Sequence, residues 1–113
     1  MLTVEALRAY GADVQDGLDR CMNNETFYLR LVRMETEDKN FEKLRVALAA
    51  RDLSAAFSAA HALKGVLANL ALNPLLEPVS EMTELLRART DTDYGPLWER
   101  VDRKHRELLE ICS

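Results

Sequence analysis

Cysteine, glycine and long apolar runs are scarce in this sequence. Its 113 residues include two cysteines and four glycines. Cys21 and Cys112 lack a C-x-x-C spacing and each lies in a helical apolar pattern, so we expect buried reduced thiols rather than a disulfide or a metal site. No apolar run approaches the roughly 18 residues of a membrane span, and the amino terminus does not resemble an export signal. We therefore expect a cytoplasmic protein with no membrane partner.

An excess of positive charge is also missing. The formal net charge is −4, and no face rich in Lys or Arg is visible, so nucleic acid is not an expected partner. The sequence has no Gly-rich phosphate loop, no G-x-S-x-G elbow and no paired carboxylates, and two distant histidines do not make a zinc site. We predict no bound cofactor and no metal, which argues against a nucleotide-dependent kinase and against a small hydrolytic enzyme.

Apolar and polar residues do not alternate over a length that would indicate a strand. Apolar residues instead recur at helical spacing throughout the chain. The sequence therefore predicts an all-α fold, in which one or two short amino-terminal helices pack on an antiparallel four-helix bundle. Residues 1–113 are expected to form one domain, since this length can bury an ordinary core.

Capping residues set the expected helix boundaries. Four residues precede apolar periodic segments and can accept the first free amide bonds: Thr3, Asp13, Asn24 and Asp52. Gly11 should end the first helix, and Asn73-Pro74 and Asp93 should start the last two. The predicted helices cover residues 4–10, 13–22, 25–36, a segment from 38 or 40 to about 50, the central segment after Asp52, 73–88, and 93 to about 112.

Apolar spacing predicts which residues of these helices are buried. The second helix should bury Val14, Leu18, Cys21 and Met22. The third should bury Phe27, Leu31 and Met34, with Tyr28 and Val32 on its flank. Pro78 is expected to kink its helix or to end its first turn. His105 falls on or beside the buried stripe of the last helix, so we expect it to be structural.

The central segment, from Ala55 to Leu70, is where pattern and chemistry coincide. With about 100° per residue, its buried stripe centres on Leu63 and includes a set of small and aliphatic residues: Ala56, Ala59, Ala60, Val66, Leu67 and Leu70. His61 lies about 160° from that centre and should face solvent. The residues predicted to share or surround its face are Ser54, Phe57, Lys64, Gly65 and Ala68.

Gly65 breaks a local rule. Glycine inside a helix is less stable than alanine by about 1 kcal/mol, and no cap or turn explains it here, which hints at function. The absent side chain would let another surface approach His61. A neutral imidazole is a nucleophile, and the Lys64 ammonium would attract an anion joined to it. The plainer alternative is a solvated histidine beside an ordinary lysine, which the combination of features disfavours.

These residues resemble a known family. The stretch Ala60-His61-Ala62-Leu63-Lys64-Gly65, continued by Ala68-Asn69-Leu70, resembles the A-H-x-L-K-G signature of histidine-containing phosphotransfer (HPt) domains. The resemblance extends to residues 24–34 and 50–52 and to the Leu-rich helix after Asn73, and so covers roughly residues 12 to 112. Two positions depart from the pattern: Ala71 stands where the family often has glycine, and Pro78 interrupts the next helix.

The resemblance implies a phosphorelay carrier without kinase activity of its own. Nε2 of His61 would take a phosphoryl group from the phospho-aspartate of a receiver domain, and Lys64 would balance its charge. The partner would dock over Gly65, Ala68, Phe57 and Ser54, and Gly17 with its exposed neighbours would add to that surface. Response-regulator receivers or a hybrid histidine kinase would be the partners of a monomer, with Mg²⁺ bound by the receiver.

A second hypothesis comes from another functional class. The bundle could be a non-phosphorylated adaptor that binds a helix or sheet of a partner through the face around Phe57 and His61. The His-x-x-Lys-Gly pattern argues against this alternative, because an adaptor gains little from a reactive ring beside a helix-weakening glycine.

Overall fold

Seven α-helices and no strands make up the chain in the computed structural model, which describes all 113 residues. The helices are α1 (Val4–Tyr10), α2 (Val14–Arg20), α3 (Glu25–Thr36), α4 (Asn40–Ala49), α5 (Leu53–Asn69), α6 (Asn73–Arg87) and α7 (Gly95–Cys112). The predicted all-α class is confirmed. None of the seven helices combines the length and the apolar character needed to cross a bilayer.

The bundle is built from helices that are neighbours in sequence. α4 packs on α5, α5 on α6 and α6 on α7, while α3 packs on α7. Short links at 50–52 and 70–72 join the first two of these pairs, so they form antiparallel helical hairpins. Only residues 37–39 separate α3 from α4. Together these two helices bridge α7 and α5 and close the bundle around an aliphatic core, which includes Leu44, Leu63, Leu67, Leu75, Met82, Leu86 and Leu108.

Hydrogen bonds join α3 and the start of α2 to the end of the bundle where α5 turns into α6. The Tyr28 hydroxyl donates to the Leu70 carbonyl at 2.9 Å, and the Asp13 amide donates to the Ala71 carbonyl at 3.0 Å. Burial, followed by the nearby Cys21, raises the pKa of Tyr28 to about 12, which keeps its phenol a donor. The carboxyl end of α5 is therefore held by α3 and by the residue that caps α2.

The four predicted amino-terminal caps are confirmed. Each side-chain oxygen accepts the amide three residues later, as expected for an N-cap: Thr3, Asp13, Asn24 and Asp52. Gly11 ends α1 with a left-handed φ of 114°.

α6 begins at Asn73 as predicted, but neither of the last two helices has the predicted side-chain cap. Asn73 lies inside α6, which has no side-chain cap, and Asp93 accepts the Gly95 amide at 2.8 Å from just outside α7. α6 is continuous from Asn73 to Arg87 through Pro78, so the expected end of a first turn is wrong. The buried Pro78 ring packs inside the protein, which offsets the one amide bond that it cannot make.

The buried face of α3 is rotated from the predicted one. Tyr28 and Val32 are fully buried, whereas Met34 is 60% exposed. The cause is the hydroxyl of Tyr28, which reaches a backbone carbonyl inside the protein and makes full burial of that ring favourable. Two further apolar predictions are wrong. Met22 is exposed because α2 ends before it, and Val66 lies at the edge of the α5 stripe with 40% of its surface exposed.

Gly17 packs inside the protein rather than on a docking surface. It is buried, and a Cβ added to it would lie 2.5 Å from Cε1 of Tyr28. The expectation that it belongs to the partner-docking face is wrong because the Tyr28 ring covers it. Its missing side chain is explained by this close approach of the ring.

Ala71 lies in the left-handed region with φ 55°. Its amide donates to the Ala68 carbonyl, and the Leu72 amide donates to the Leu67 carbonyl, which is the pattern that ends many helices. Glycine adopts this conformation without strain, which gives a physical reason for its frequency at this position in the HPt family.

The second histidine and the cysteines have structural surroundings. The His105 ring stacks on Phe41 with centroids 3.7 Å apart, and its Nε2 donates to the Thr36 carbonyl at 2.8 Å. Its predicted structural role is confirmed. Cys21 and Cys112 are both free thiols as predicted, but Cys112 is only half-buried.

Candidate functional site

His61 projects outward from the middle of α5. The Asp52 cap starts this helix of 17 residues, and its inner stripe buries Ala56, Ala59, Ala60, Leu63 and Leu67. A helix with one buried stripe places the opposite face in water, and the His61 side chain is exposed there. The predicted orientation of His61 is confirmed.

The imidazole lies against an aromatic ring. Phe57 is one turn earlier on α5, and its ring centroid is 5.4 Å from that of His61 with 17° between the planes. Phe57 is itself half-buried and packs on the core. The guanidinium carbon of Arg87, from α6, lies 5.0 Å from the centroid of the Phe57 ring, which is within cation–π range. The imidazole therefore rests on a ring that is held from both helices.

Lys64 is paired with a carboxylate of α6 in this structure. Its Nζ is 3.3 Å from Oε2 of Glu84, and the other oxygen of Glu84 is 3.3 Å from Nε of Arg87. Hydrogen bonds from Arg87 and then Lys64 hold the pKa of Glu84 below its ordinary value. Glu84 thus holds two cations beside the face that carries His61.

Open space surrounds the turn after His61. Gly65 is exposed, and a Cβ added to it would meet no other atom within 4 Å. Ala62 is exposed, and Ala68 is half-buried. Packing therefore gives no reason for glycine at residue 65, in contrast to Gly17. The small side chains leave a low surface beside the imidazole.

A cleft with a positive rim adjoins Phe57. The Arg89 guanidinium donates to Oγ of Ser54 at 3.2 Å. The cleft has a volume of about 370 Å³ and no acidic side chain in its lining, which consists of Leu53, Ser54, Phe57, Ser58, Leu86, Arg87 and Arg89. Both arginines are in position to attract an anionic surface of a partner.

The structure brings the predicted site residues of α5, but not Gly17, to one side of that helix, and it adds three that sequence reasoning missed. Glu84, Arg87 and Arg89 approach the site from α6 and the residues that follow it. The only signal for these residues in the sequence is the spacing of three between Glu84 and Arg87, which indicates no more than an ion pair within one helix. No group of three or more His, Cys, Asp or Glu side chains is placed to hold a metal ion.

Comparison with known families identifies a match over most of the chain. The family model described as Hpt domain matches residues 29–111, which is more than half of the chain. The match begins in α3, ends in α7 and includes all of α5 with His61. Neither the curated proteins nor the solved structures contain a significant match.

Proposed function

Because the chain belongs to the Hpt domain family, whose members take part in phosphotransfer in two-component systems, we propose that it is a phosphorelay intermediate that carries a phosphoryl group on His61. One observation carries the proposal: the imidazole faces solvent, and its neighbour Gly65 has open space where a side chain would stand. A receiver domain could therefore bring its reacting aspartate up to the ring.

The proposed step is a transfer between two acceptors. The lone pair of unprotonated Nε2 of His61 attacks the phosphorus of a receiver's aspartyl phosphate. A P–N bond forms while the P–O bond to the aspartate breaks, and the electron pair of that bond stays on the aspartate carboxylate. The ring keeps its Nδ1 proton and carries positive charge until that proton passes to water. The return to a second receiver follows the same path in reverse.

Charge around the site supports this assignment. Phosphoryl transfer depends mainly on positioning and electrostatic stabilisation. The Lys64 ammonium lies on the same face of α5 as His61, and Arg87 and Arg89 add two cations within the adjoining cleft. These cations would attract both the phosphoryl oxygens and the acidic site of a receiver. Mg²⁺ is proposed to be held by the receiver.

The proposal also specifies partners and setting. Receiver domains of response regulators or of a hybrid histidine kinase would donate and accept the group, in the cytoplasm. A monomer would suffice, since every residue of the proposed site comes from one chain. Gly65, Ala68, Phe57 and Ser54 would form the docking surface around His61.

Labelling tests this function directly. The full chain is incubated with a panel of receiver domains charged by a small acyl phosphate, and protein-bound label is measured. We expect acid-labile, base-stable label on the wild-type chain and none on His61→Gln, whose fold is checked by circular dichroism. Absence of label together with partner binding that survives His61→Gln would instead support the adaptor function.

A further inference from the structure

Glu84 belongs to a row of side-chain contacts that ends at the imidazole. One of its carboxylate oxygens contacts Lys64 and the other contacts Arg87, each at 3.3 Å. Arg87 lies over Phe57, and Phe57 is stacked on His61. Lys64, at the other end of this row, lies one helical turn from His61 on α5. These five side chains therefore link the exposed face of α5 to α6.

Both cations held by Glu84 are within reach of a group on His61. Lys64 follows His61 by three residues, which makes them neighbours on the helix surface. The Arg87 guanidinium carbon is within about 10 Å of the imidazole centroid, as the two ring distances require. Long side chains with 35% and 51% of their surface exposed can turn toward a new anion.

We infer that Glu84 competes with the phosphoryl group on His61 for Lys64 and Arg87, and so limits how much phosphorylated chain forms at equilibrium with a receiver. The inference rests on the proposed function and adds a residue that sets its transfer equilibrium. Before transfer, both cations neutralise Glu84. After transfer they turn to the phosphoryl oxygens, and the Glu84 carboxylate is left without a partner near a second anion.

Charge and exposure explain why the exchange can occur and why it has a cost. A phosphoryl group carries up to about two negative charges and three acceptor oxygens, so it attracts a cation more strongly than one carboxylate does. Exposed ion pairs are weak and easily replaced. The carboxylate that loses its partners then opposes the phosphorylated state, because like charges repel over these distances.

Substitution of Glu84 tests the inference, with a matched control on the same helix. The measured quantity is the equilibrium ratio of phosphorylated chain to phosphorylated receiver, for a receiver that labels the wild-type chain. Glu84→Gln should raise this ratio about three- to tenfold. Glu81→Gln removes an equally exposed carboxylate, which pairs with Arg100 instead, and should change the ratio less than twofold.

A second background separates competition for cations from simple repulsion. In a chain that also carries Lys64→Met and Arg87→Met, Glu84→Gln should raise the ratio by a clearly smaller factor, because only the repulsion remains and no cation is released. A full gain in that background would overturn the inference in favour of direct repulsion by Glu84. The gain in the otherwise wild-type chain should shrink as salt is added, since the groups involved are exposed.

The failures of the inference and of the proposed function are distinguishable. No label on the wild-type chain with any receiver would reject the proposed function. Label on the wild-type chain with a ratio that Glu84→Gln leaves unchanged or lowers would reject the inference alone. Unfolding temperatures are measured for each variant, and a loss of stability without a change in the ratio would assign Glu84 a structural role instead.

Discussion

The rings of His61 and Phe57 are nearly parallel, with 17° between their planes and 5.4 Å between their centroids. The two residues are one turn apart on α5, where side chains at a spacing of four lie above one another. Because Phe57 also packs on the core and lies under Arg87, it restricts the orientations open to the imidazole. Correct orientation before reaction is a large part of the rate of any transfer.

Replacing Phe57 by leucine should slow transfer more than it affects folding. Leucine keeps an apolar side chain against the core but removes the flat ring beneath His61. We expect a rate of labelling that is several-fold lower, with an unfolding temperature close to that of the wild type. Rapid-quench labelling by a charged receiver measures the rate. Phe57→Tyr, which keeps the ring, should retain the wild-type rate, and a normal rate for Phe57→Leu would contradict a positioning role.

Two substitutions of Gly65 should separate its effect on stability from its effect on transfer. Gly65→Ala is expected to increase the free energy of unfolding by about 1 kcal/mol, because alanine favours helix and the added methyl group meets no other atom. Gly65→Glu should leave the fold intact and nearly abolish labelling, through its bulk and its repulsion of the phosphoryl group. Urea titration and receiver labelling measure the two effects. Normal transfer by Gly65→Glu would show that the partner does not approach closely there.

Alanine at Gly17 should lower the free energy of unfolding, whereas alanine at Gly65 should raise it. Gly17→Ala would place a methyl carbon 2.5 Å from the Tyr28 ring, and overpacking of this kind typically costs about 1–3 kcal/mol. Movement of the Tyr28 ring away from this methyl group would also strain its hydrogen bond to the Leu70 carbonyl. Urea unfolding of both alanine variants makes the comparison. Equal stabilisation by the two substitutions would mean that the Tyr28 ring moves aside freely.

Lys64→Ala should slow transfer or shorten the life of the phosphorylated form without blocking either step. The lysine is proposed to neutralise phosphoryl charge, whereas the imidazole forms the bond, so the reaction continues at reduced rate. Lys104→Ala is a matched control, since Lys104 is a similarly exposed lysine paired with Glu107 on α7. Time courses of label gain and loss measure both variants. Identical time courses for the two would remove Lys64 from the site.

Glu35 should make stability depend on pH. Its side chain is buried, Oε2 has no hydrogen-bond partner, and burial followed by the nearby Asp38 raises its pKa from 4.5 to about 9. Between these values the folded chain keeps a proton that the unfolded chain releases. The free energy of unfolding therefore falls as pH rises through this window, by at most about 1.4 kcal/mol per pH unit from this group.

Urea unfolding of Glu35→Gln between pH 5.5 and 8 checks this expectation. The variant has no proton to lose, so its stability relative to wild type should increase with pH. Glu37→Gln changes an exposed carboxylate at the end of the same helix and should follow the wild-type curve. Parallel curves for wild type and Glu35→Gln would show that Glu35 titrates normally in the folded chain.

Local sequence predicted most of the fold because local chemistry decides where helices begin. Thr3, Asp13, Asn24 and Asp52 cap as expected, since an oxygen three residues before a free amide needs no tertiary partner. The errors occur where packing decides. Tyr28 replaced Met34 on the buried face of α3 because a carbonyl 42 residues away accepts its hydroxyl.

The part of the site on α5 could be predicted from the sequence, whereas the part contributed by α6 could not. One helical wheel predicted that His61 is exposed, because the buried stripe of α5 fixes the direction of the opposite face. The roles of His61 and Lys64 in transfer stay predictions. The contacts of Glu84, Arg87 and Arg89 with that face depend on how α6 packs on α5, and side-chain spacing within one helix carries no information on such contacts.

Exposure of His61 has a further consequence for the proposed carrier function. The surface that admits a partner also admits water, and no side chain covers the turn at Gly65. A phosphoryl group left there between encounters would be open to hydrolysis, so the signal would persist only as long as the P–N bond survives in solvent. The exposure of His61 on α5 would then set the lifetime of the phosphorylated state as well as the access of the partner.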